Sequence, residues 1–242
     1  MVFRLGKHGF SLIELLAVLA VIAILVAIAI PALQSTGGAA KFTGTLEQIK
    51  GMLDEARTYA QAQNTYVWVA FYPADPGDRS GDELFVVTLS SSDGTNPFSS
   101  WSGAYPIPYT VPGTATTVQP AQKIAVLRQL RLNTTNFFTS AQIPALPATS
   151  TDAAPASQLV FTLAAPGTAF TLGRQPLPAG AEAPACSVIA FGPAGTAAAG
   201  PNLAAVIGLD FQPMKTINVA DGHNLAELQI SGVTGAVQVF RN

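Results

Sequence analysis

The sequence predicts an α+β chain: a long N-terminal helix, apolar in its first half and amphipathic in its second, packed on an antiparallel β-sheet. Three observations predict it. An unbroken apolar run spans Leu15 to Ile30. From Phe42 onward, apolar residues recur at steps of three and four, the period of a helix with one buried face. Beyond Tyr66 the period changes to two, in short runs rich in β-branched and aromatic residues and separated by Gly, Pro, Ser and Thr. A chain of 242 residues has room for one domain with a sizeable core and an accessory segment.

The first element carries a basic start, Arg4 and Lys7, ahead of the apolar run. A secretory signal peptide would begin in this way. Against it, the run is long for such a signal, no small-x-small site follows before Gln34, and Glu14 stands among Leu12, Ile13, Leu15 and Leu16. A plain membrane anchor fits better, since a helix from Phe10 to Ile30 spans roughly 32 Å, about one hydrocarbon core. Arg4 and Lys7 then hold the N-terminus in the cytoplasm and send the rest of the chain outward. Glu14 is unexplained by an anchor alone, because an acid at that depth costs roughly 3 kcal/mol.

The stretch "KHGFSLIELLAVLAVIAILVAIAIP" resembles the class III signal of type IV prepilins and type II secretion pseudopilins. In that resemblance the leader is 1–9, ending in Gly9, and mature chain begins at Phe10 with Glu14 as its fifth residue. The resemblance implies cleavage between Gly9 and Phe10 by a prepilin peptidase/methyltransferase and N-methylation of Phe10. It also implies an assembly salt bridge from Glu14 to the Phe10 ammonium of its own or a neighbouring chain. The implied partners are other pilins or pseudopilins, an inner-membrane assembly platform and the lipid bilayer, and the implied location is the inner membrane with the globular part outside the cytoplasm. Pro31 matches the proline of the family's first helix. It either kinks the helix or ends it, and the periodicity that resumes after Gly37 and Gly38 favours a kink. These readings divide the chain into a leader at 1–9, a transmembrane and assembly helix at 10–38, and an extracytoplasmic domain at 39–242.

The amphipathic half places Phe42, Leu46, Ile49, Leu53, Ala56 and Ala60 on one stripe, broadened by Met52 and Tyr59. Glu47, Lys50, Asp54 and Arg57 fall at helical spacing on the wetter side. The stripe predicts a seat for the sheet that follows. "TYVWVAFYP" and "ELFVVTLS" predict a hairpin. Its loop holds Asp75, Asp78 and Asp82, with Glu83 opening the second strand. These are oxygen ligands that calcium accepts, but their spacing matches no EF-hand. The solvated turn is favoured, and calcium stays an open alternative. Residues 91–120, with Trp101, Tyr105 and Tyr109, read as a surface excursion pinned by its aromatics. Further loops are expected near 139–156 and 173–185. "KIAVLRQLRL" is ambiguous between helix and strand. Strands are expected at Gln158 to Leu163, Ala169 to Leu172, Ser187 to Phe191, Ala205 to Phe211, Ala226 to Ile230 and Ala236 to Phe240.

The last third, "VIAFGPAGTAAAG" and the closing "AELQISGVTGAVQVFRN", is similar to the C-terminal pattern of H-type minor pseudopilins and FimT-like pilins. Its long loops and ending also resemble the D-type cassette prepilins of Verrucomicrobia. "GPAGTAAAGP" lacks the Lys-Ser/Thr of a phosphate loop and reads as a turn.

Little in the chain suggests catalysis. A single cysteine, Cys186, excludes an internal disulfide and a multi-cysteine metal centre, and in "CSVIAF" it reads as a small apolar residue. His8 lies in the leader and His223 in a "DGH" turn, which leaves little for zinc, and no catalytic triad can be assembled. A formal charge of -2 and little basic company for Arg241 leave no nucleic-acid partner expected. No cofactor is implied. The function expected is a minor pilin or pseudopilin that assembles into a type IV pilus or type II secretion pseudopilus. The alternative is a filament-tip binding module, for adhesion or DNA uptake, on the same scaffold.

Overall fold

A computed structural model describes residues 12–73, 83–122, 125–133, 138–139, 141–147, 159–162, 171–172, 175–176, 187–200, 204–216, 219–220 and 224–242. Two units make up the chain, Met1–Thr43 and Gly44–Asn242.

Helix α1, Leu12–Ala62, is 51 residues long. Its bounds include Pro31, which therefore does not end it. Leu46, Ile49, Leu53, Ala56 and Ala60 are fully buried, and Phe42 nearly so, as the three-and-four spacing requires. Burial of each large apolar side chain contributes roughly 1.5–3 kcal/mol. Tyr59 does not broaden the stripe: it lies a step off that face and is 39% exposed. Asn64, at φ 50°, turns the chain out of the helix, and Thr65 N–H closes on the Ala60 carbonyl at 3.0 Å. This left-handed cap satisfies carbonyls that the helix end would leave open.

Sixteen strands follow among the described residues: β1 Val67–Pro73, β2 Glu83–Ser91, β3 Gly103–Pro106, β4 Tyr109–Thr110, β5 Thr117–Pro120, β6 Ala125–Arg128, β7 Leu130–Asn133 and β8 Leu159–Thr162, then β9 Thr171–Leu172, β10 Gln175–Pro176, β11 Ser187–Phe191, β12 Ala197–Ala198, β13 Val206–Thr216, β14 Val219–Ala220, β15 Ala226–Ser231 and β16 Val237–Arg241. The larger sheet runs β12-β11-β1-β2-β5-β4, with β6 also paired to β2. The second runs β14-β13-β15-β16, with β7 paired to β13. Pairing is antiparallel in both, as the sequence predicts, while β3 and β8 form a separate parallel pair.

Both faces of the larger sheet are covered, so the alternation in "VWVAFY" sorts side chains between two cores. On one face Trp68, Ala70, Val87, Leu89, Val188 and Ala190 cluster with Phe98, Trp101, Ile107 and Val118. Residues 91–120 are thus not only a surface excursion. Their aromatics pin them to the sheet, and β5 takes the β2 edge because Leu89 to Ser91 offer a ladder there. On the other face Val67, Val69, Ile189 and Phe191 are fully buried, and Phe71 meets Phe211 of the second sheet edge-on at 6.4 Å.

Within "KIAVLRQLRL" the first two residues lie outside the described ones, and residues 125–132 resolve as two strands. Gln129 adopts φ 59°, and this left-handed residue separates β6 in the larger sheet from β7 in the second. The β11–β12 turn and the β15–β16 turn close on the end of α1. A β-carbon at Gly195 would meet the Gln61 side chain, and one at Gly235 would meet the Gly195 carbonyl and stand 3.1 Å from Arg57 Cδ.

Candidate functional site

Every described side chain from Leu12 to Val26 is exposed, on all sides of α1. A helix that is apolar all round has no buried stripe of its own to satisfy and needs lipid or other chains around it. Glu14 sits in the first turn of α1, exposed among Leu12, Ile13, Leu15 and Leu16. A carboxylate there is favoured by the N-terminal end of the helix dipole. Side chains are described up to Val26 and again from Ala39, whereas the apolar sequence continues to Ile30. Among the described residues no helix is long and apolar enough to cross a membrane. Gly9 and Phe10 lie outside the described residues, as does the side chain of Pro31.

The remaining sequence candidates separate. Asp75, Asp78 and Asp82 are outside the described residues, and Glu83 opens β2 with a side chain that is not described. Cys186, His8, Asp221 and His223 also lie outside. Among the described residues no three His, Cys, Asp or Glu stand together as metal ligands would. "GPAGTAAAG" forms a turn into β12, with Gly192 N–H bonded to the Thr196 carbonyl at 2.9 Å.

One cluster went unforeseen in the sequence. Asp210 of β13 and Glu227 of β15 are directly opposite in register, 0% and 4% exposed. Like charges in that position repel. Phe138 N–H donates to Asp210 Oδ2 at 2.6 Å, and Gln229 Nε2 donates to Glu227 Oε1 at 2.9 Å. Asp210 Oδ1 has no hydrogen-bond partner among the described residues. Burial pushes the Asp210 carboxyl up to about 7, helped by the Glu227 charge and opposed by the Phe138 N–H. Glu227 is raised too, by burial, against the Gln229 amide and Asp210. The visible signal was an acid inside each of two apolar runs, "VIGLDF" and "AELQIS".

Comparison with known proteins bears on the other end of the chain. Residues 4–30 match the family model described as the prokaryotic N-terminal methylation motif. No curated protein and no solved structure matches. The match spans the basic start, Gly9, Phe10, Glu14 and the apolar run up to the residue before Pro31. This chain therefore carries the N-terminal signal of type IV pilin-like and pseudopilin-like prepilins, joined to an α+β globular part.

Proposed function

We propose that the chain is a membrane-anchored minor pilin or pseudopilin, without catalysis of its own, that assembles into a filament after processing. The observation that carries this reading is the methylation motif over residues 4–30 with Glu14 on a helix that is apolar and exposed on every described side. Residues 1–9 form the leader, and cleavage after Gly9 creates the Phe10 amine that is methylated. Glu14 then gains a cationic partner, which exists only after the cut. In low dielectric a lone carboxylate is costly and a close ammonium offsets much of that cost, so pairing favours one register between subunits. The apolar half of α1 spans the inner membrane, with Arg4 and Lys7 on the cytoplasmic side. The globular part then stands outside the cytoplasm, in contact with an assembly platform and other pilins.

The buried stripe from Leu46 to Ala60 supports a division of labour along α1, one half committed to its own domain and the other left free for lipid and neighbours. The test is intact-mass measurement on protein from native membranes. The expected species begins at Phe10 and carries one added methyl group on its amine. A mature chain beginning at Met1, or cut beyond Ala27, would sink the reading.

A further inference from the structure

The face of the second sheet that carries Asp210 and Glu227 has a cover. Leu225, Phe138, Ile143 and Leu146 form an apolar cluster, against which Phe240 packs. Phe240 is opposite Glu227 in register, and Leu225 is two residues before it on the same face. Within segment 138–147, the described residues 138–139 and 141–147 thus lie over the acid pair, folded back by Gln142 and Ile143 N–H groups bonded to the Thr139 carbonyl and by Leu146 N–H bonded to the Ile143 carbonyl. Among the described residues, its polar tie to the sheet is the Phe138 N–H to Asp210 bond.

We propose that Asp210 and Glu227 hold one proton between them and act as a pH-sensitive latch, which keeps segment 138–147 closed on the second sheet while the proton is bound and releases it when both acids ionise. The geometry asks for the proton. Two carboxylates face each other across a ladder, without water access, and two negative charges cannot both be kept there cheaply. One proton turns repulsion into a shared hydrogen bond, for which Asp210 Oδ1, free of other bonds among the described residues, is placed. Among the described residues, the strands that flank β13 and β15 carry two other charged side chains, Arg131 and Arg241. On β7, Arg131 shares the face but lies beyond Asn133 and is exposed. On β16, Arg241 is opposite Ala226, on the other face, and is exposed. Asn242 is exposed and holds Leu225 N–H. Segment 138–147 itself carries no titratable side chain.

The raised carboxyls give the direction. The closed form keeps its proton to higher pH than the open form, in which water restores ordinary carboxylate behaviour. Closure is therefore fully favoured below the ordinary carboxylate range and is lost as pH rises through about 7. A globular part outside the cytoplasm would meet such changes in its surroundings.

Hydrogen exchange on the full-length protein in detergent tests the latch, with rates corrected for the intrinsic pH effect. Protection of the peptide covering 138–147 is expected to fall between about pH 4 and about pH 7 and to level off above, by at most about tenfold per pH unit, the limit for one linked proton. Protection of β1 should stay constant and serves as the check on global folding. Glu227→Gln, which keeps an acceptor for Gln229 and removes the like charge beside Asp210, should move the fall in the segment's protection to lower pH. Asp210→Asn, which keeps an acceptor for Phe138 N–H, should do the same and replaces the first variant if that one fails to fold. A flat profile in the unaltered protein overturns the proposal, and so does an unchanged midpoint of the fall in either folded variant. Millimolar calcium that restores protection at pH 8 in the unaltered protein but not in Glu227→Gln would also overturn it, because a metal ion would then be the ligand.

Discussion

Glu14 is the residue on which the assembly reading can be tested most directly. Replacing it with Ala eases insertion into lipid, so the variant should be made, inserted and cleaved. Assembly should fail, because the Phe10 ammonium loses its countercharge, and one-sided loss of a buried pair costs about 3 to 5 kcal/mol. Gly9→Val should act earlier and leave uncut precursor. A processing blot beside a filament preparation separates the two, and normal incorporation of Glu14→Ala would remove the carboxylate from the mechanism. Asp93 is a different kind of acid. The Thr116 hydroxyl, then the Thr95 N–H, with the Thr95 and Ser91 hydroxyls, hold its carboxyl well below the usual range. A depressed carboxyl stabilises the fold above the ordinary range and loses that contribution as pH falls through its folded value. Asp93→Ala should therefore lower Tm at pH 7, and the gap to the unaltered protein should narrow at pH 2.5. Gly235 is required for two reasons, its φ of 65° and its approach to Gly195 and Arg57. Gly235→Ala should cost roughly 1–3 kcal/mol, read from denaturant midpoints. None of these backbone demands was visible in the sequence, where "GVTGAV" signalled only a turn.

At the level of elements, legibility followed length and period. α1 could be read because its stripe repeats over five turns, and Leu53→Ala should cost about 2–5 kcal/mol in chemical unfolding while Tyr59→Ala costs little. β1, β2, β11, β13, β15 and β16 could be read because each is a run of five residues or more rich in β-branched and other apolar side chains and bounded by turn residues. Strands of two to four residues, such as β3, β4 and β5, are too short to display a period, and Gly and Pro between them pointed to a loop. "KIAVLRQLRL" defeated both templates because Gln129 resets the alternation between β6 and β7. The acid pair was hidden for another reason. Asp210 and Glu227 each read alone as the wet side of a half-buried strand, and only the β13–β15 register brings them together.

For the whole molecule, the two units suggest a severable chain. A fragment from Ala39 to Asn242 should be soluble and unfold cooperatively, since the α1 stripe and both sheets remain within it. Aggregation in every buffer, or a transition without a sharp midpoint, would count against it. The larger sheet adds a constraint on how copies meet. Its outermost strands in the described order, β12 and β4, have two residues each, and β6 and β5 divide the flank of β2 between them. Among the described residues the rim left open on this sheet is short: β12 covers Ala190 and Phe191 of β11 but not Ser187 to Ile189, and β6, four residues long, pairs with β2 alone. Open edges of three or four residues give a neighbouring copy few ladder bonds to gain, which disfavours strand stacking of the amyloid kind on this sheet. In the proposed filament, ordered polymerisation would then fall to the apolar surface of α1, where subunits can slide, register and be withdrawn without the sheet being unpicked.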